Sequence, residues 1–201
     1  MLCLTRATDP SWVHVAVENL DAVLVDHAHC EIKAATNALS LASRATGPAM
    51  AQSLADLAAE EVAHFREVLA HLAARGLSLG LPAPDRYAAE LRAAAHRTRP
   101  AGRSPTDTLV DRLLVAALIE TRSCERFRLL ADELRRRGLE SLAGFYEELF
   151  ACEARHYRTL FDLAASARLG DEVSVKARLA ELAGEEAAIC ARLGEAAAVH
   201  G

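Results

Sequence analysis

The chain has 201 residues, 52% of them hydrophobic but only 4% aromatic, and a net charge of −5. That length fits one domain, residues 1–201, large enough to bury a polar site. The acidic balance excludes a protein that is basic all over, no apolar run approaches the roughly 18 residues of a membrane span, and five cysteines without a Cys-x-x-Cys pair exclude a zinc ribbon or disulfide framework.

The N-terminus shows no secretory pattern, so a cytoplasmic protein with no membrane segment is expected. Ala, Leu, Glu and Arg dominate, all strong helix formers, which predicts an all-α fold. Asp9-Pro10-Ser11 starts a short segment leading into a first long helix that ends near Gly47. Gly47-Pro48 restarts the pattern, and a second helix runs to Arg75-Gly76. Gly80, Pro82 and Pro84 then mark a crossover segment up to Arg103, with a short helix from Tyr87 to His96. Ser104-Pro105 caps a third long helix ending at Arg137-Gly138, and a fourth runs from about Glu140 to Arg168. Gly170-Asp171 begins an additional C-terminal helix with Leu179, Leu182 and Ile189 on its packing face. A four-helix bundle with a crossover and a fifth helix is the expected architecture.

Two Glu-x-x-His steps, Glu61-Val-Ala-His64 and Glu153-Ala-Arg-His156, stand 30 and 33 residues after Glu31 and Glu120. That spacing suits two antiparallel helix pairs, each offering a Glu and a Glu-x-x-His, the ligand pattern of a dinuclear metal site inside a bundle. Glu-x-x-His alone is a weak signal, so the helical faces decide. Glu120 shares a face with Leu113, Ala117, Phe127 and Leu130, whereas Glu125 groups with Arg122 and Arg128 and is expected to face water. Glu61 and His64 lie with Leu54, Leu57 and Val68, Glu153 and His156 with Leu149 and Leu160, and Glu31 with Leu24, Ala35 and Ala38. Glu60 is rotated off this stripe.

Buried carboxylates must be paired, protonated or metal-bound. Oxygen-rich ligands with two imidazoles favour two iron ions, with manganese as the alternative, Glu61 and Glu153 bridging, one His per metal, and Glu31 and Glu120 terminal. His27, four residues before Glu31, is a candidate to hydrogen-bond a ligand, and Tyr146 to line the pocket. Asp26 and His29 are expected to be solvated. Such a centre can use dioxygen as co-substrate, or simply oxidise and store iron. No Gly-x-Gly-x-x-Gly turn for a flavin or nicotinamide is present, so electrons are expected from a separate donor protein.

The strings Asp26-His-Ala-His-Cys-Glu31-Ile-Lys-Ala-Ala35, Leu118-Ile-Glu-Thr-Arg-Ser-Cys-Glu-Arg-Phe127 and Glu153-Ala-Arg-His156 resemble those of the bacterial tRNA-(2-methylthio-N6-isopentenyladenosine) hydroxylases, the MiaE family. The resemblance extends from about Trp12 through the C-terminal helix. It implies a ferritin-like bundle whose non-haem di-iron centre hydroxylates the isopentenyl group of a modified adenosine beside the tRNA anticodon. It places the iron ligands at Glu31, Glu61, His64, Glu120, Glu153 and His156, the set reached from the helical faces. The polyanionic substrate directs attention to basic stretches. Arg86 to Arg103 carries a net +4, making Arg92, Arg97, Arg99 and Arg103 candidate tRNA contacts, and Arg126 to Arg137 a net +3.

Overall fold

Pro48 and Pro105 stand at the first positions of two long helices, and the second of these carries a complete capping box between Ser104 and Asp107. Gly76 (φ +69°) and Gly138 (φ +75°) terminate the helices before them in left-handed backbone. There the N–H groups of Leu77 and Leu139 donate back to the carbonyls of Leu72 and Leu134 at 2.9 Å. A side chain at either glycine would strain this turn.

A computed structural model describes residues 3–98, 102, 104–194 and 196–199. Among them are α1 (Ser11–Glu18), α2 (Leu20–Ala42), α3 (Pro48–Ala74), α4 (Arg86–Arg97), α5 (Pro105–Arg136), α6 (Glu140–Ala167) and α7 (Glu172–Leu193), with no strand. No described helix is long and apolar enough to cross a membrane. The break between α1 and α2 falls at Asn19, whose side chain caps α1 by donating to the carbonyl of Val15 at 2.9 Å.

Helices α2 and α3 pack along each other, as do α5 and α6, and the pairs meet where α2 touches α5 and α3 touches α6. This is the expected ferritin-like four-helix bundle. The crossover between the pairs carries α4, which packs on α5 and α7.

Two apolar clusters fill the bundle. One holds Ala38, Ala58, Leu118 and Leu160; the other holds Ala28, Val68, Phe127 and Leu149. On each long helix the sequence between these two anchors contains the candidate ligands. A single polar layer therefore interrupts the core at one level.

The outer side of α5 departs from expectation. Arg122 is only 1% exposed, and the Glu125 side chain is largely covered as well. The segment before α1 and helix α7 close over this face, where Arg122 pairs with Glu186 of α7 and donates to the carbonyl of Arg6. Asp26 and His29 also differ. His29 is buried against the carbonyl of Leu79, and Asp26 accepts from the backbone N–H of Val199.

Candidate metal centre

The six residues singled out from helical faces are all buried and converge from α2, α3, α5 and α6. Donor atoms of Glu31, Glu61, His64 and Glu153 lie within 4.8 Å of one another, and those of Glu61, Glu120, Glu153 and His156 form a second such group. Glu61 and Glu153 belong to both. Two overlapping four-donor sets sharing two carboxylates are the arrangement a pair of neighbouring cations requires.

Electrostatics points the same way. Burial and the nearby Glu153 and Glu61 carboxylates push the Glu120 pKa well up, and burial raises Glu61. Burial also works against an ionised Glu31, but His27 and His64 outweigh it and hold its pKa at about 2. Burial likewise opposes a charged His64, yet Cys152, Glu31 and Glu61 raise its pKa to about 12; His156 is raised for the same reasons by Cys152, Glu153 and Glu61. The pocket demands positive charge.

The unused lone pairs test whether metal fits. Glu61 Oε1 and His64 Nδ1 are buried without a hydrogen bond. His64 Nδ1 stands 3.5 Å from Glu61, 3.6 Å from Glu31 and 3.7 Å from Glu153. These separations are too long for hydrogen bonds. They match donors about 3.4 Å apart that share a cation about 2.1 Å from each. His156 Nδ1 comes within 2.9 Å of Glu61 Oε1, yet that oxygen makes no hydrogen bond. The donor set fits a metal.

Around this set the structure places other polar residues. His27 Nε2 is 2.6 Å from Glu31 Oε1, and His27 Nδ1 is 3.4 Å from the Tyr146 hydroxyl. His27 thus stands within hydrogen-bonding reach of a candidate ligand. Tyr146 supports His27 from within a cluster with Phe127 and Phe145, and it does not line the cavity. Glu60, set aside because its Cα lies off the inward stripe, reaches around α3 so that Oε2 sits 3.2 Å from His156 Nε2. Cys152 joins the same point, donating to Glu60 Oε2 at 3.3 Å. The signal in the sequence is a long acidic side chain directly before a ligand, able to reach the far nitrogen of a histidine on the next helix.

A cavity of about 570 Å3 opens on the other side of the cluster, onto Glu31, Glu61, Glu120 and Glu153, with neither candidate histidine in its wall. Its inner wall is small and apolar, with Ala34, Val115, Ala116 and Ile119. Lys33, Asp85, Arg92, His96 and Arg112, half-buried or exposed, line it toward solvent, and the buried Asp111 joins them. Of the expected tRNA contacts, Arg92 is in this lining and Arg97 pairs with Glu185 at 2.7 Å. Arg99 and Arg103 lie outside the described residues.

The chain matches the family model described as tRNA-(MS[2]IO[6]A)-hydroxylase (MiaE) over residues 1–201. It is 38% identical over 176 residues to the tRNA 2-(methylsulfanyl)-N(6)-isopentenyladenosine(37) hydroxylase of Pseudomonas putida, a match covering 87% of this chain and 80% of that protein. To the protein of the same name from Salmonella typhimurium it is 35% identical over 119 residues, 59% of this chain and 40% of that one. Among solved structures it is similar to Protein 43 with aldehyde deformylating oxygenase activity from Synechococcus, with a TM-score of 0.82 and 35% identity over 100% of this chain and 96% of that one.

Proposed function

The chain belongs to the MiaE family, and from that premise we propose that it is an oxygen-dependent tRNA hydroxylase acting on the isopentenyl group of 2-methylthio-N6-isopentenyladenosine. The observation that carries the reading is the cavity, whose inner end is the four carboxylates, whose wall is apolar and whose lining toward solvent is charged. A volume of about 570 Å3 lies in the range of small-molecule sites, enough for a modified base with its prenyl chain. That charged lining suits a nucleotide better than a long-chain aldehyde.

Residues 1–201 form one ferritin-like domain in this reading. Glu61 and Glu153, shared by both donor groups, would together with Glu31 and His64 on one side and Glu120 and His156 on the other hold two iron ions, manganese being the alternative. When bound, the metal pair supplies the redox chemistry by which dioxygen, two electrons and two protons convert one C–H bond to C–OH and release one water. The protein's part is positional. His27 holds Glu31, Glu60 fixes His156 through its outward nitrogen, and Ala34, Val115, Ala116 and Ile119 pack the prenyl chain and keep bulk water from the reacting carbon. The electrons come from a separate donor protein, and the reaction takes place in the cytoplasm, where tRNA is modified.

The test is mass spectrometry of nucleosides from isopentenylated, hydroxyl-free tRNA incubated with iron-loaded protein, dioxygen and a chemical reductant. One oxygen is expected on the hypermodified adenosine. Iron oxidation without a nucleoside product would overturn the hydroxylase reading in favour of iron storage, and turnover of a fatty aldehyde in its place would move the assignment to deformylation.

Glu60→Ala tests the support given to His156. Loss of the carboxylate at 3.2 Å frees the imidazole to rotate, and metal affinity is expected to fall about 10- to 100-fold with little change in melting temperature. A metal titration indistinguishable from wild type would remove Glu60 from the site.

A further inference from the structure

Among the described residues, most guanidinium groups have carboxylate partners. Arg75 meets Asp21, Arg97 meets Glu185, Arg158 meets Asp162 and Arg168 meets Asp107. Arg92 and Arg112 in the cavity wall, and Arg44 beside Arg112, depart from this pattern. Arg112, half-buried on α5, donates through Nη2 to Ser40 Oγ at 3.1 Å and Asn37 Oδ1 at 3.4 Å. Arg44, just beyond the end of α2, donates through Nη1 to the same Ser40 Oγ at 3.0 Å and to the Ser40 carbonyl. Two cations therefore converge on one neutral hydroxyl. Arg92 lines the same cavity from α4. Burial lowers the Arg112 pKa, and the charges of Arg44 and Arg92 lower it further, as three like charges in proximity must.

The aspartates in the same wall are already engaged. Asp111 accepts both Nε and Nη2 of Arg178 at 3.0 Å. Asp85 lies 3.5 Å from Lys33 and caps α4 by accepting from the backbone N–H of Ala88. Among the described residues, Arg44, Arg92 and Arg112 form no ion pair. Holding three guanidinium groups together without an anion is unfavourable, and a phosphate bridging them would turn that repulsion into charge-assisted hydrogen bonds. In a chain of net charge −5, such a patch is local by construction.

We propose that Arg44, Arg92 and Arg112 form a clasp for backbone phosphates of the RNA that carries the substrate base, seating the loop at the mouth while the base enters the cavity. The proposal rests on the tRNA hydroxylase reading and adds to it which phosphate-binding side chains set the register. Arg112 is the half-buried arm, tied to α2 by Ser40 and Asn37, and Arg44 and Arg92 are the exposed arms. Ser40 Oγ holds the place of a phosphate oxygen between two of them.

The clasp is tested by fluorescence anisotropy with a labelled anticodon stem-loop RNA bearing the isopentenylated adenosine, titrated at several salt concentrations against the metal-loaded full chain. Arg92→Ala and Arg112→Ala are each expected to weaken binding about tenfold and to lower the slope of log K against log salt by about 0.7 to 0.9. The paired Arg158→Ala should leave both unchanged. Because Arg112 is half-buried, the exposed Arg92→Glu provides a second probe that does not depend on its packing, with a larger expected loss. Wild-type affinity and slope in Arg92→Glu and Arg112→Ala would overturn the clasp while leaving the hydroxylase reading intact. Failure of the wild-type chain to bind the RNA, together with failure to hydroxylate it, would overturn both.

Discussion

Glu61→Ala and Glu153→Ala are each expected to reduce the protein from two bound metal ions per chain to one or none and to abolish tRNA hydroxylation, while Glu125→Ala retains both ions. The asymmetry comes from membership. Glu61 and Glu153 contribute to both donor groups, whereas Glu31 and Glu120 contribute to one group each. Removing a shared carboxylate withdraws a ligand and a negative charge from both positions, where removing a terminal one leaves the other set whole. Glu31→Ala and Glu120→Ala should therefore retain about one ion per chain. Losing the paired centre costs several kcal/mol of transition-state stabilisation, at least about a thousandfold in rate. Glu125 is spent elsewhere, accepting from Thr8 and Arg122 on the outer side of α5. Metal analysis after loading and desalting checks the series. Full occupancy in Glu61→Ala, or equal loss in Glu61→Ala and Glu125→Ala, would sink the bridging assignment.

The centre was legible in sequence because its logic is local to each helix. Every candidate ligand lies on the apolar stripe of its own helix, and each stripe is interrupted at the level where the two core clusters separate. Helix limits were legible for a similar reason, since Pro48, Gly76, Ser104-Pro105 and Gly138 act through backbone geometry within a few residues. What escaped is what depends on a neighbour. Arg122 falls on the polar side of α5, and periodicity cannot tell that α7 and the segment before α1 will cover that side. Glu60 lies off the stripe by its Cα but not by the reach of its side chain. The cavity is walled by residues of α2, α4 and α5, so it gathers Lys33, Arg92 and Arg112 from three helices. The basic count over the crossover directed attention to Arg92, but Arg112, from a stretch without excess charge, completes the group.

Burial of Arg122 sets up the largest expected effect on stability. Its Nε and Nη2 donate to the two oxygens of Glu186 at 2.9 and 3.0 Å, and Glu186 is fully buried. The same carboxylate accepts the Tyr87 hydroxyl from α4 at 3.0 Å. Arg122 further donates to Thr8 Oγ1 and the Arg6 carbonyl, each at 3.0 Å. One ion pair thus ties the N-terminal segment, α4, α5 and α7. Burial by itself lowers the Arg122 pKa, but Glu186 outweighs it and raises it, so the guanidinium stays charged in every accessible condition. Glu186→Ala then leaves a buried cation with Glu125 as its remaining carboxylate, and the expected cost is about 3 kcal/mol, the lower end for breaking a buried pair. In a chain of this length that corresponds to a melting temperature lower by roughly 10 °C. Replacing both partners with apolar residues, Arg122→Met with Glu186→Leu, should recover most of the loss, because no charge is then stranded. Metal content should survive Glu186→Ala, since Glu186 touches no candidate ligand. Substrate binding should not, because Tyr87 fixes the helix that walls the cavity: KM for tRNA is expected to rise more than kcat falls. A Glu186→Ala protein that melts with the wild type would show that Arg122 is held by Thr8, Arg6 and Glu125 alone, and that α4 keeps its place without the buried carboxylate.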